Sequence, residues 1–187
     1  MKTIAIGGEP ATGKSTLVKA ILASVEPSHA FSFGRVKGHT IKKENLWILG
    51  IYNPGETFPG TDRLSMSVHP DAVAFLKHLK AAPVPQGSPK PTILVEGDRL
   101  VGGKFLQECQ KHGKLYLMML SCPADLKHQR HQDRKDTQSP TFLQGKATKA
   151  MNLIDQFDGI VERHDHHTPA DTERLKNLVL ARVRRID

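Results

Sequence analysis

Residues 8–15 read Gly-Glu-Pro-Ala-Thr-Gly-Lys-Ser, which puts Gly8, Gly13, Lys14 and Ser15 at the marked positions of the spacing G-x-x-x-x-G-K-[ST]. Glycines at that interval let the backbone curl until successive N–H groups face a polyphosphate at a helix N-terminus. The ammonium then bridges the terminal phosphates and the hydroxyl ligates Mg²⁺. Contacts with a nucleoside triphosphate are expected over Gly8, Glu9, Ala11, Thr12, Gly13, Lys14, Ser15 and Thr16. Phosphoryl transfer also needs a carboxylate, to support the metal or to take the proton of an acceptor hydroxyl. Glu96 and Asp98, in Glu96-Gly97-Asp98-Arg99, are both candidates for that base, and Glu96 joins Ser15 as a candidate metal ligand. Arg99 is expected to contact a phosphate or to fix one of these carboxylates.

Four further groups bear on the acceptor. In Thr61-Asp62-Arg63, Asp62 is placed to take a hydrogen bond from the acceptor and Arg63 to supply charge; a plain N-cap of a short helix is the alternative. Arg130 and Arg134 are four apart and share a helix face, and two guanidiniums on one face are best explained by an anion between them. They are expected to act as a catalytic lid over the transferring phosphates, the alternative being a solvated face partly neutralised by Asp133. Lys146 and Lys149 extend this patch towards an acceptor phosphate or a DNA backbone. Trp47, Tyr52 and Phe58 offer rings on which a base can stack, with core packing the better reading for at least one of the first two. His164-Asp165-His166-His167 reads as an exposed loop, because four consecutive residues cannot all face one ion while structural zinc sites draw on spaced ligands.

The elements that must position these groups alternate. A strand over Ile4–Ile6 precedes the glycine loop, and apolar residues then recur at helical spacing from Lys14 to Leu22, with the helix ending near residues 25–27. Residues 35–52 read as extended, with a polar break at 42–45, and residues 53–60 form a loop rich in proline and glycine. Helix spacing returns over 72–79, and a proline-rich segment at 83–91 is too short to divide two domains. Strands follow at 92–95 and 114–120 with a helix around 105–109 between them. Helices at 124–135, 141–157 and 170–184, with a short strand near Ile160-Val161, complete the chain. Such alternation predicts a single α/β domain over residues 1–187. Its sheet is doubly wound and mostly parallel, with helices on both faces and a helical lid at roughly 124–140. The ligand cleft of such a sheet lies at the carboxyl ends of its strands, where the glycine loop, residues 96–99 and the segment after Leu120 converge.

Among the 187 residues, 27 Lys plus Arg stand against 19 Asp plus Glu, a formal charge of +8 spread along the chain. That excess favours a polyanionic partner such as nucleic acid. No run approaches the roughly 18 apolar residues of a membrane span, so a soluble, cytoplasmic protein without membrane contact is expected. Cys109 and Cys122 have neither metal-ligand spacing nor a disulfide framework and read as buried packing residues of a reducing compartment.

With the loop from Gly8 to Ser15, the strand end Glu96-Gly97-Asp98-Arg99 and the Arg130/Arg134 pair, the chain resembles the P-loop nucleoside and nucleotide kinase superfamily over nearly its full length. Three stretches, PGTDRLSMSVHPDA (59–72), EGDR (96–99) and QSPTFLQGKATKAMNLI (138–154), are similar to the bacteriophage 5-hydroxymethyluracil DNA kinases. Those enzymes phosphorylate a base hydroxymethyl group in DNA as a step in thymidine hypermodification. The resemblance implies ATP and Mg²⁺ as cofactors, and DNA containing 5-hydroxymethyluracil as partner. It further implies in-line transfer to a primary hydroxyl with Asp98 or Glu96 as base, and the host cell cytoplasm as location if phage-encoded. The target nucleotide would have to be extruded from the duplex, and the diffuse positive charge would contact phosphates. A kinase of a free deoxynucleoside or its monophosphate is the alternative, with Arg63 and Arg99 at the acceptor phosphate. A GTP-binding switch is more distant, since neither Asn-Lys-x-Asp nor Asp-x-x-Gly occurs.

Overall fold

A computed structural model describes residues 1–25, 27–53, 55–56, 58–135 and 137–185. Ile4, Ala5 and Ile6 have no solvent exposure, because their strand β1 (Lys2–Gly8) runs through the middle of one sheet. Six further strands join it: β2 (His29–Phe33), β3 (Val36–Ile41), β4 (Leu46–Leu49), β5 (Thr92–Glu96), β6 (Lys114–Ser121) and β7 (Val161–Asp165), in the spatial order β2-β3-β4-β5-β1-β6-β7. The five strands from β4 to β7 in that order are parallel, while β2 and β3 add an antiparallel extension beyond β4.

Helices cover both faces. α2 (His69–Ala81), α3 (Gly103–His112) and α5 (Pro140–Gln156) bury Phe75, Phe105, Leu106 and Leu153 against one side. α1 (Lys14–Ser24) and α6 (Pro169–Arg184) bury Leu17, Ile21, Leu175 and Val179 against the other. The near-continuous apolar runs of β1, β5 and β6 follow from this double cover, since neither face of a central parallel strand meets water. The remaining helix, α4 (Ala124–Asp133), buries no residue and belongs to neither layer.

The register decides where the chemistry lies. Ile6 pairs with Glu96 and Gly8 with Leu120, so the glycine loop leaves β1 between the ends of β5 and β6. As expected, the sheet is mostly parallel, doubly covered and open at the carboxyl ends of its strands. Three boundaries differ from the sequence reading. β2 went unread: it is an edge strand joined to β3 through Gly34, whose φ of 56° suits the tight turn that pairs Phe33 with Val36. The expected helix over 124–135 ends at Asp133. The strand expected at Ile160-Val161 instead begins at Val161 and runs to Asp165, so His164 and Asp165 lie in the sheet. No described helix is long and apolar enough to cross a membrane.

Candidate active site

The glycine loop is held closed by its own lysine. Lys14 Nζ donates to the carbonyls of Gly8 (2.9 Å) and Glu9 (2.7 Å), spanning the loop's mouth. Burial lowers the Lys14 pKa, while Glu96, Asp62 and Asp98 pull it back up and Arg134 opposes them. Those four side chains, drawn from three separate stretches, therefore converge on one ammonium, as the topology required.

Glu96 ends β5 with 3% of its surface exposed. Its Oε1 accepts from Ser15 Oγ (3.0 Å) and from the Tyr52 hydroxyl (3.3 Å), and its backbone carbonyl accepts from Thr61 Oγ1 (2.7 Å). Burial pushes its carboxyl up to about 7 against the pull of Lys14 and the Ser15 hydrogen bond. This packing needs a glycine at residue 60: its φ is 99°, and a Cβ there would lie 2.0 Å from Glu96 Oε1. The Ser15 hydroxyl and Glu96 carboxylate are hard oxygen donors of the kind Mg²⁺ takes. Among the described residues no three His, Cys, Asp or Glu cluster to hold a metal by themselves. Mg²⁺ is commonly held by one or two protein ligands together with phosphate oxygens and waters. Ser15 and Glu96 would hold the ion here, and its charge would offset that of the phosphate oxygens.

Asp98, two residues on, sits in the opposite electrostatic setting. Lys146 Nζ lies 2.5 Å and Lys149 Nζ 3.5 Å from Asp98 Oδ2, and Lys149 also donates to the Asp98 carbonyl (3.0 Å). Burial raises this carboxyl, but the two lysines on α5 outweigh burial and hold it below the usual carboxylate range. The site thus contains one carboxylate pushed up and one held down, an arrangement that separates their protonation at neutral pH. Lys146 and Lys149, read from sequence as an extension towards an acceptor phosphate or DNA, also fix Asp98.

A cleft of about 220 Å³ joins these groups, lined by the glycine loop, Glu96 and Asp98 together with Phe58, Asp62, Arg134 and Phe142. Of the three rings considered for stacking, Phe58 alone reaches it. Trp47 packs edge-on to Phe31 (5.0 Å) and Phe75 (5.4 Å), and Tyr52 is buried against Glu96. Phe142, overlooked in the sequence, is 46% exposed at the cleft with Lys146 Nζ 5.1 Å above its ring. Asp62 lies on the cleft wall, whereas Arg63 faces Glu56 (3.5 Å). Arg99 donates to the Asp62 carbonyl (3.1 Å) and faces the Met66 sulfur, which leaves the fixing of Asp98 to the lysines.

The two arginines expected to grip one anion both line a cavity behind the loop, beside His166, but have different hydrogen-bond partners. Arg134 lines the cleft, and its Nε donates to the Arg130 carbonyl (3.1 Å). Arg130 is instead engaged by backbone behind the loop, donating to the carbonyls of Ala11 (3.0 Å), His166 (3.2 Å) and His167 (3.1 Å). Lys127 adds an ion pair to Glu9 at 2.5 Å, so α4 is fastened to the glycine loop although it buries nothing of its own.

The expectation of an exposed loop at residues 164–167 is wrong at its centre. His166 is 2% exposed; its Nδ1 is 2.8 Å from the Thr12 carbonyl and its Nε2 2.7 Å from Thr172 Oγ1. Burial lowers its pKa, favouring the neutral ring. The local signal lay just downstream. Thr168 and Asp171 form a capping box that starts α6 at Pro169, which places the histidines at a strand-to-helix turn on the ligand edge. Cys109 is buried as expected, its thiol pushed up to about 12 by burial. Cys122 is only half-buried, with its sulfur 3.8 Å from the Ala11 carbonyl.

No protein-family model matches the sequence, and no curated protein matches it. Among solved structures, a gluconokinase from Sinorhizobium meliloti 1021 is similar over 97% of each chain, at 16% identity and a TM-score of 0.46. That likeness is one of overall outline and transfers no residue's role.

Proposed function

We propose that this chain is a P-loop kinase that transfers the γ-phosphoryl group of ATP, with Mg²⁺, to a hydroxyl held in the cleft beside Asp98. The observation that carries the reading is the junction at the end of β5. The Ser15 hydroxyl meets the buried Glu96 at 3.0 Å within reach of Lys14, and a second carboxylate, Asp98, lines the same cleft. Donor-side and acceptor-side duties are thereby separable. Ser15 and Glu96 support the metal, Lys14 and Arg134 offset charge on the transferring group, and Asp98 orients and deprotonates the acceptor hydroxyl.

The acceptor we assign is the hydroxymethyl group of 5-hydroxymethyluracil in DNA. Resemblance over residues 59–72, 96–99 and 138–154 supports it, as do the net charge of +8 and the two exposed rings at the cleft, Phe58 and Phe142, against which an extruded base can stack. A free nucleoside or its monophosphate is the second reading, favoured by the small size of the cleft, about 220 Å³ shared between the glycine loop and the groups around Asp98. Label transfer from γ-labelled ATP separates the two, using duplex DNA containing 5-hydroxymethyluracil, the same DNA with thymine, the free nucleoside and its 5′-monophosphate. Label on the modified DNA alone is the expected outcome; label on the free molecules alone transfers the assignment to the second reading.

A further inference from the structure

Four carbonyls of the glycine loop are held by basic side chains, which come from two sides. Lys14 holds those of Gly8 and Glu9 across the mouth. Those of Ala11 and Thr12 are held from behind, the first by Arg130 at 3.0 Å and the second by the His166 ring at 2.8 Å. A carbonyl can only accept, so His166 Nδ1 carries the proton and its Nε2 accepts from the Thr172 hydroxyl. The ring has little freedom to turn. The backbone N–H of His166 donates to the Ser121 carbonyl at 2.9 Å, its backbone carbonyl accepts from Arg130, and Thr172 stands at the capped start of α6. It also lies so close to the loop that a Cβ on residue 13 would meet Nδ1 at 2.2 Å, which a glycine alone avoids.

In a trans peptide the C=O and the following N–H point in opposite directions. Drawing the Thr12 carbonyl outward to His166 therefore turns the Gly13 N–H inward, and drawing the Ala11 carbonyl to Arg130 does the same for the Thr12 N–H. We infer that His166 is a positioning residue of the phosphate cradle, holding the Thr12–Gly13 peptide in the orientation that presents its N–H to a bound polyphosphate. A loop whose donors are aimed before the ligand arrives loses less on binding than one that must reorient. This role rests on the reading that the loop binds a nucleoside triphosphate. It is independent of what receives the phosphoryl group.

Calorimetric titration of the full chain with Mg·ATP and, separately, with inorganic tripolyphosphate tests it, alongside thermal melting of each variant. His166→Asn places an amide N–H where Nδ1 stands, His166→Gln places one where Nε2 stands, and His166→Leu supplies neither. His166→Leu and His166→Gln are expected to weaken both probes by about five- to tenfold, the size of one lost hydrogen bond, with His166→Asn within about twofold of wild type. A role confined to packing would instead order the variants by melting temperature and treat Asn and Gln alike. Equal affinity of His166→Leu and wild type for tripolyphosphate overturns the inference, as does His166→Asn falling with His166→Leu. Should His166→Leu not fold, the contrast between Asn and Gln decides. Absence of binding by the wild-type chain to either probe withdraws the polyphosphate reading itself, a result distinct from any difference among variants.

Discussion

The two halves of the cleft that we assign to the phosphoryl donor and to its acceptor are built in different ways. On the donor side, a loop of small residues is held by buried or half-buried partners: Lys14 across its mouth, Glu96 beneath Ser15, His166 and Arg130 behind. On the acceptor side, Phe58 and Phe142 project from exposed positions, and Lys146 and Lys149 reach Asp98 as ion pairs whose members remain partly solvated. The first arrangement aims backbone dipoles in advance, which suits a ligand whose charged tail is always the same. The second relies on long side chains over an open wall, which suits an acceptor that enters from outside and must be distinguished from water. Buried fastenings are thus concentrated around the glycine loop, and accessible side chains on the wall assigned to the acceptor.

Substitutions on the two sides should separate accordingly. The largest effect is expected from Lys14→Ala, which removes the ammonium common to the whole site. Steady-state transfer should fall on the order of 10²- to 10³-fold, the range for losing one preorganised charge-stabilising donor, with the melting temperature close to wild type. Unchanged turnover would remove the loop from the reaction. Next comes Asp98→Asn, expected to lower kcat on the order of 10²-fold while leaving Mg·ATP affinity within about threefold, as the loss of a general base does. A parallel collapse of Mg²⁺-dependent ATP binding would transfer Asp98 to the donor side and erase the division drawn here. The smallest change belongs to Phe142→Ala. Loss of one stacking ring is worth about 1–3 kcal/mol, so the KM for the acceptor should rise roughly tenfold with ATP affinity untouched. Titrating acceptor at saturating ATP measures it, and an equal rise in the KM for ATP would place Phe142 among the donor contacts.

How much of this was readable beforehand follows the same division. The donor loop was legible because its chemistry is written in consecutive residues: Gly8, Gly13, Lys14 and Ser15 determine backbone curvature and charge locally. The strand end at Glu96 was legible because an unbroken apolar run that stops at a carboxylate marks the edge of a parallel sheet. The fasteners were not. Tyr52 read as a strand residue and His166 as part of a solvated loop, because neither carries a local pattern that announces its partner. Arg130 and Arg134 read from their spacing as one helix face, yet α4 ends at Asp133, and Arg130 turns to the carbonyls behind the loop while Arg134, just past the helix, borders the cleft.

By itself the amino-acid sequence determined the alternation of strands and helices and the glycine loop that we read as a polyphosphate cradle, since both depend on propensities and contacts within a few residues. Only the tertiary structure decided which groups hold that cradle and which carboxylate faces which way. Ser15 meets Glu96 across 81 positions of chain, and His166 meets the Thr12 carbonyl across 154. Pairings at such separations are set by strand order and register, which bring β5 and β6 beside β1 and β7 next to β6, and no spacing along the chain encodes them.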